Sequence, residues 1–241
     1  MTHIMIIILI GFLIFIHELG HFIAAKMSGV PIARFSIGFG PALLSRKIKG
    51  TKYCLSIFPI GGYVMLDIND ISDLYRIPLR KRIFYMLGGP FGNIAFALVG
   101  IVSLNLISGN ISFYSMIIDP IYQTSIYLYK IIYSIGLIFK HPDQISGIVG
   151  IVSQGSKFVG MDIIRLINFS ILLSVNFAVF NLLPLPPLDG GNIVIYLFEK
   201  INPRLLKLHV PLAVTGWVLL IGLLLYATVL DVGRISAGLC A

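Results

Sequence analysis

Charge is scarce in this sequence. Only 12% of its 241 residues are Asp, Glu, Lys or Arg, while 57% are hydrophobic. That balance excludes an ordinary soluble domain and fits a chain solvated by lipid. Acidic residues are the scarcer sign, 10 against 18 basic ones, for a formal net charge of +8. In a soluble protein such an excess would raise the question of nucleic acid. Here the basic residues lie between apolar runs, where they set orientation, and no nucleic-acid partner is expected. Cysteine is nearly absent. Cys54 and Cys240 exclude a disulfide framework, and neither has metal-ligand spacing. Internal repeats, low-complexity tracts and long soluble linkers are also missing, so the chain reads as a single domain over 1–241.

What is present is a set of long apolar runs. Those at about 4–25, 83–107, 163–183 and 209–230 each reach the roughly 20 residues a helix needs to cross about 30 Å of hydrocarbon. The fold class expected is therefore a mainly α, polytopic membrane protein with about four transmembrane helices. A further apolar stretch, about 121–139, is interrupted by Gln123, Thr124, Ser125, Lys130 and Ser134 and rich in Tyr. It reads as an interfacial helix. The N-terminal run has no Lys or Arg before it and no small-residue cleavage site, so it reads as a retained helix.

Between the first two spans, Gly29 and Pro31 stop the helical pattern, and residues 32–65 turn to Gly, Pro and β-formers. From Thr51 to Phe58, Tyr53, Leu55 and Ile57 alternate with Lys52, Cys54 and Ser56, the period of a half-buried strand. A small membrane-associated β region is expected there. Residues 66–80, with Asp67, Asp70 and Asp73, read as a solvated loop leading to the basic cluster Arg80–Arg82.

Ten basic residues fall between the first and second spans, from Lys26 to Arg82, and Lys200, Arg204 and Lys207 follow the third. These segments should face the cytoplasm, leaving both termini outside. Cys54 and Cys240 then lie on opposite faces, which excludes their pairing within one chain.

The chemistry is concentrated in His17-Glu18-Leu-Gly-His21, inside the first apolar run. Positions i and i+4 of a helix lie one above the other, so both imidazoles can address one metal ion. Glu18 lies about 100° round the helix from His17, where its carboxylate can reach a water at the metal without being a ligand. Zinc suits two nitrogen ligands and lowers the pKa of a bound water to about 7, supplying hydroxide at neutral pH. Polar groups of this kind in a span are costly unless a site compensates them. A catalytic zinc needs a third protein ligand, and Asp189 is the best placed. It follows the third span in Asn181-Leu-Leu-Pro184-Leu-Pro186-Pro187-Leu-Asp189-Gly190-Gly191, where prolines end the helix and glycines permit a tight turn. The first and third spans run in the same direction and end on the same face, so the three residues meet at one depth. Asn181 and Asn93 are candidates for hydrogen bonding to substrate or to the developing oxyanion; both also suit polar gluing of helices.

With these motifs the sequence resembles the site-2 protease family of intramembrane metalloproteases, in particular its bacterial branch. The likeness rests on His17-Glu18-Leu-Gly-His21-Phe22, Gly89-Pro90-Phe-Gly-Asn93, Asn181-Leu-Leu-Pro184-Leu-Pro186-Pro187-Leu-Asp189-Gly190, Gly61-Gly62-Tyr63-Val64 and Ile145-Ser146-Gly147-Ile-Val-Gly150. The resemblance implies Zn2+ held by His17, His21 and Asp189, Glu18 as catalytic base, and strands that help hold the substrate. It implies a bacterial inner-membrane protein whose site faces the cytoplasm and whose partners are the bilayer and membrane-protein substrates with a transmembrane segment, or remnant signal peptides. Members of this branch commonly carry a PDZ domain between the second and third core spans. Residues 108–160 leave too little room for one here, which makes this a short form. Two rival readings are a non-proteolytic membrane zinc-binding regulator and a metal transporter. The presence of Glu18 argues against the first, and the lack of two related halves against the second.

Overall fold

The computed structural model describes residues 1–68, 70–138, 140, 145–202 and 209–237; Cys240, His141, Arg204 and Lys207 lie outside them. Among the described residues, four helices are long and apolar enough to cross a membrane: α1 (Thr2–Ser28), α3 (Leu79–Ile107), α6 (Ile163–Asn181) and α8 (His209–Ser236). The remaining helices are α2 (Ile71–Arg76), α4 (Asp119–Ile138), α5 (Ile148–Val159) and α7 (Asp189–Ile201), and a π-helical turn over Tyr114–Ile118 leads into α4. The protein is thus a helical, polytopic membrane protein with one small sheet.

α1 stops where its sequence dictates. Gly29 takes a left-handed conformation with φ 69°, and the Val30 N–H returns to Ala25 O at 2.9 Å, closing the carbonyls of the last turn. The chain then enters β1 (Ile32–Ile48) and β2 (Thr51–Leu66). Both strands double back, β1 at Gly38 and Gly40 and β2 at Gly61, all with positive φ that a side chain would resist. The result is four lanes from two strands. Ile32–Ile37 lies inside, facing Gly62–Leu66 on one side and Lys52–Leu55 on the other, while Lys52–Leu55 also faces Leu44–Lys47. Leu43, Leu44, Phe58 and Ile57 are exposed on this sheet, as suits a surface wetted by lipid rather than water. Lys26 Nζ donates to Thr51 Oγ1 at 2.8 Å, and Thr51 Oγ1 to Ile32 O at 3.0 Å, tying the sheet to the end of α1.

The expected solvated loop at 66–80 is corrected by the structure: α2 occupies its middle, and Asp73 Oδ1 in that helix accepts from Arg76 Nη1 at 3.0 Å. The second span also begins earlier than its apolar residues suggest. Pro78 caps α3, so Arg80, Lys81 and Arg82 form its first turn, where Pro's fixed φ is well suited to starting a helix. Pro90 lies inside α3 without interrupting it.

α1 and α3 pack with little between them. A Cβ on Gly20 would run into the backbone of Gly88, and one on Gly88 would meet Ala24 and Gly20, so small residues set the approach of the two helices. A second core joins α3, α4 and α6 through Ala97, Ile101, Ile131, Ile171, Val175 and Val179. These packings leave one end of the α1–α3 seam facing the start of α7.

Candidate metal centre

The polar groups of the seam converge. His17 and His21 are buried on one face of α1, as their spacing of one turn requires. Asp189 is the first residue of α7. The tight turn expected at Gly190 and Gly191 is corrected here: both lie in the helix, without positive φ. Their small size matters for another reason, since a Cβ on either would overlap the backbone of Leu182–Pro186. The segment between α6 and α7 folds back on the helix start, and Asn192 Nδ2 reinforces it by donating to Pro187 O at 3.2 Å.

This arrangement places Asp189 Oδ2 3.0 Å from His17 Nε2 and 3.3 Å from His21 Nε2, with the two nitrogens 3.1 Å apart. Ligand atoms around a tetrahedral zinc at about 2.0–2.1 Å stand about 3.3 Å from one another. The observed triangle has that size. Asp189 Oδ2 is buried without a hydrogen-bond partner. His21 Nδ1 contacts Tyr85 O at 2.8 Å, and a carbonyl oxygen can only accept, so the neutral ring carries its proton on Nδ1 and turns a bare lone pair at Nε2 towards Asp189. Acceptor atoms facing one another at this distance fit a shared cation. His17, His21 and Asp189 form the group of metal-type ligands among the described residues.

Asn93 is fully buried, with Nδ2 3.2 Å from His17 Nδ1 and Oδ1 unpartnered. Exchanging the two ends of this amide puts Oδ1 on the His17 Nδ1–H. It thereby directs His17 Nε2 into the centre, as an outer-shell acceptor does for a metal-ligating histidine. The structure thus puts Asn93 behind His17. Asn181 donates to Phe177 O of its own helix at 2.9 Å. Glu18 is half-buried, interacts electrostatically with His21, His17 and Asp189, and accepts from the Val64 N–H at 3.2 Å. The Gly62–Leu66 lane therefore lies along α1 at Glu18.

Three contributors were not visible in the sequence. Tyr85 acts through its backbone carbonyl, which no side-chain pattern announces. Gly89 leaves space for both imidazoles, for a Cβ there would strike the Nε2 atoms of His17 and His21; the motif containing it carried the family likeness but gave this glycine no role of its own. Arg82, read only as part of the basic cluster that follows the 66–80 loop, is buried and paired with Glu199.

Fold and donor set together mark a membrane protein of the metallohydrolase kind. The sequence profile of peptidase family M50 matches residues 5–225, and the chain belongs to that family, the site-2 proteases. A Campylobacter jejuni relative named "Putative zinc metalloprotease" is 28% identical, with 95% of this chain and 92% of the relative aligned. That alignment runs over 341 positions against a chain of 241 residues, so at least 100 positions face gaps here, consistent with a short form lacking a PDZ domain. A Clostridium acetobutylicum protein of the same designation is 26% identical over 82% of this chain and 87% of its own length. One from Helicobacter pylori reaches 42% identity over 39% of this chain and 30% of the relative. Family M50 peptidases are zinc-dependent, and the protein is a zinc metalloprotease.

Proposed function

We propose that the protein is an intramembrane endopeptidase that cuts single-pass membrane proteins or remnant signal peptides, with zinc held by His17, His21 and Asp189. The observation that carries this reading is the 3.0–3.3 Å triangle of His17 Nε2, His21 Nε2 and Asp189 Oδ2 among helices apolar enough to span a bilayer. Zinc bound there would polarise the scissile carbonyl and lower the pKa of the attacking water.

The remaining work falls to the chain's own groups. Glu18 takes a proton from the attacking water and delivers it to the leaving amine. Tyr85 O and Asn93 fix the imidazole orientations, so the ligands need no rearrangement when the charge develops. A transmembrane peptide keeps its carbonyls bonded within its own helix, so it has to unwind before attack. The Gly62–Leu66 lane at Glu18 supports a role in holding the unwound segment as an added strand.

Lys and Arg abound in the segments at the Asp189 end of the bundle, which supports a site facing the cytoplasm, both termini outside, and residence in the bacterial inner membrane. The chain acts as one unit over 1–241, with α4 at the interface, where exposed Tyr122, Tyr129 and Tyr133 suit the headgroup region.

The test is cleavage of single-pass substrates by protein reconstituted in liposomes, comparing the native chain with Glu18→Gln and with chelated protein. Only zinc-loaded native protein should cleave. Equal cleavage by all three would contradict the mechanism. Zinc bound tightly by native protein that cleaves nothing across a broad panel would favour the regulator reading.

A further inference from the structure

α7 carries Asp189 at its first residue, where Gly190 and Gly191 pack against the Leu182–Pro186 backbone. The helix packs chiefly on α3, and its strongest polar anchor lies near its other end. Arg82 of α3 is only 4% exposed. Its Nη1 donates to Glu199 Oε2 at 2.7 Å and its Nε to Ile77 O at 3.0 Å. The guanidinium carbon also lies 4.8 and 4.7 Å from the ring centroids of Tyr75 and Tyr196, which meet edge to face at 89° around it. A planar fork held against two rings and at two nitrogens has little freedom left.

Two helical periodicities connect this clamp to the metal centre. Arg82, Tyr85, Gly89 and Asn93 follow at intervals of three, four and four residues, so they share one face of α3. Tyr85 O holds His21, Gly89 makes room for both rings, and Asn93 meets His17. Arg82 extends the same stripe to the third ligand's helix. On α7, Asp189 and Tyr196 are seven residues apart, nearly two turns, and so lie on one face about 10 Å from each other. A tilt of about 5° at the clamp would carry the Asp189 end by about 1 Å, twice the roughly 0.5 Å within which a functional constellation has to be held.

We infer that the Arg82–Glu199 pair, packed against Tyr75 and Tyr196, is a positioning device that aims α7 and so sets Asp189 against His17 and His21. This rests on the zinc reading above. One face of α3 thus organises all three ligands, two directly and the third through a helix it orients.

The experiment measures zinc affinity by competition with a chelator of known strength, alongside cleavage kinetics and thermal unfolding of the zinc-free protein. Glu199→Gln leaves Arg82 buried without its countercharge, and Arg82→Lys keeps the charge but loses the fork. Each should weaken zinc binding by about 10- to 100-fold, the range seen when outer-shell partners are removed. Each should lower kcat at limiting zinc, recover it in excess zinc and leave KM unchanged. The exposed neighbour Arg80 is the control, and Arg80→Gln should change none of these. Should Glu199→Gln fail to fold, Arg82→Lys decides alone. Native zinc affinity in a variant whose zinc-free protein is merely less stable would overturn the inference and leave the pair a fold support. A native protein that binds no zinc would remove instead the reading beneath it.

Discussion

The α1–α3 seam and α8 are both long apolar helical regions, yet they are built in opposite ways. In the most apolar stretch of α1, 33% of residues are buried, against 11% in α8. The seam is closed by glycines against backbone, and its buried polar atoms meet one another. α8 buries Gly216, Ala227 and Asp231 among its 28 residues and exposes Trp217, Val218 and Leu225. Among the described residues it is held at a few points. A Cβ on Gly216 would overlap Pro186 O, and Asp231 Oδ2 accepts the N–H groups of Gly147 and Gly150 at 2.8 and 2.7 Å. Lipid solvates an apolar helix as well as a neighbouring helix does, so α8 needs only a few specific contacts. A metal site needs its ligands fixed in every direction, and that demands close packing.

The largest effect should come from Glu18, the base proposed above. Glu18→Gln should lower cleavage by about 10³-fold, within the usual range for a general base, while zinc content stays that of native protein. Metal analysis beside the cleavage assay separates the two. Next, Gly89→Ala drives a methyl at both imidazoles, and zinc affinity should fall by about 100-fold, as expected for overpacking a rigid site; chelator competition reads this. In α8 the order reverses. Asp231→Ala leaves the N–H groups of Gly147 and Gly150 unpartnered, and should cost about 1–3 kcal/mol of stability in detergent unfolding, with zinc affinity unchanged. Leu225→Ala, on the lipid face, should change stability by less than about 0.5 kcal/mol. A comparable loss of zinc from Asp231→Ala and Gly89→Ala would erase the contrast between the two regions.

The same contrast governs how much could be read from the sequence. Spans are legible because a run of apolar residues long enough to cross a bilayer needs no knowledge of its neighbours; α1, α3, α6 and α8 all arise in such runs. His17, Glu18 and His21 are legible because one turn of helix fixes their relation. Asp189 became a candidate because two spans running the same way end on one face. Long-range pairing was not accessible. Arg82 and Glu199 are 117 residues apart, and a buried arginine in a basic cluster looks the same in sequence as its exposed neighbours Arg80 and Lys81. α7 was hidden because Gly190 and Gly191 resemble a turn, and the backbone they accommodate is defined only by the fold. The start of α5 is likewise supported by Asp231, more than 80 residues away, and no local cap announces it. The four-lane sheet escaped for a related reason, since alternation identifies a strand but not which strand it meets.

Zinc K-edge X-ray absorption on purified native protein tests the central claim most directly. The account predicts nitrogen and oxygen neighbours at about 2.0–2.1 Å with the outer-shell scattering of two imidazoles, and no sulfur. It also predicts a spectrum altered by Asp189→Ala. A sulfur neighbour near 2.3 Å, or a first shell identical in native protein and Asp189→Ala, would contradict it.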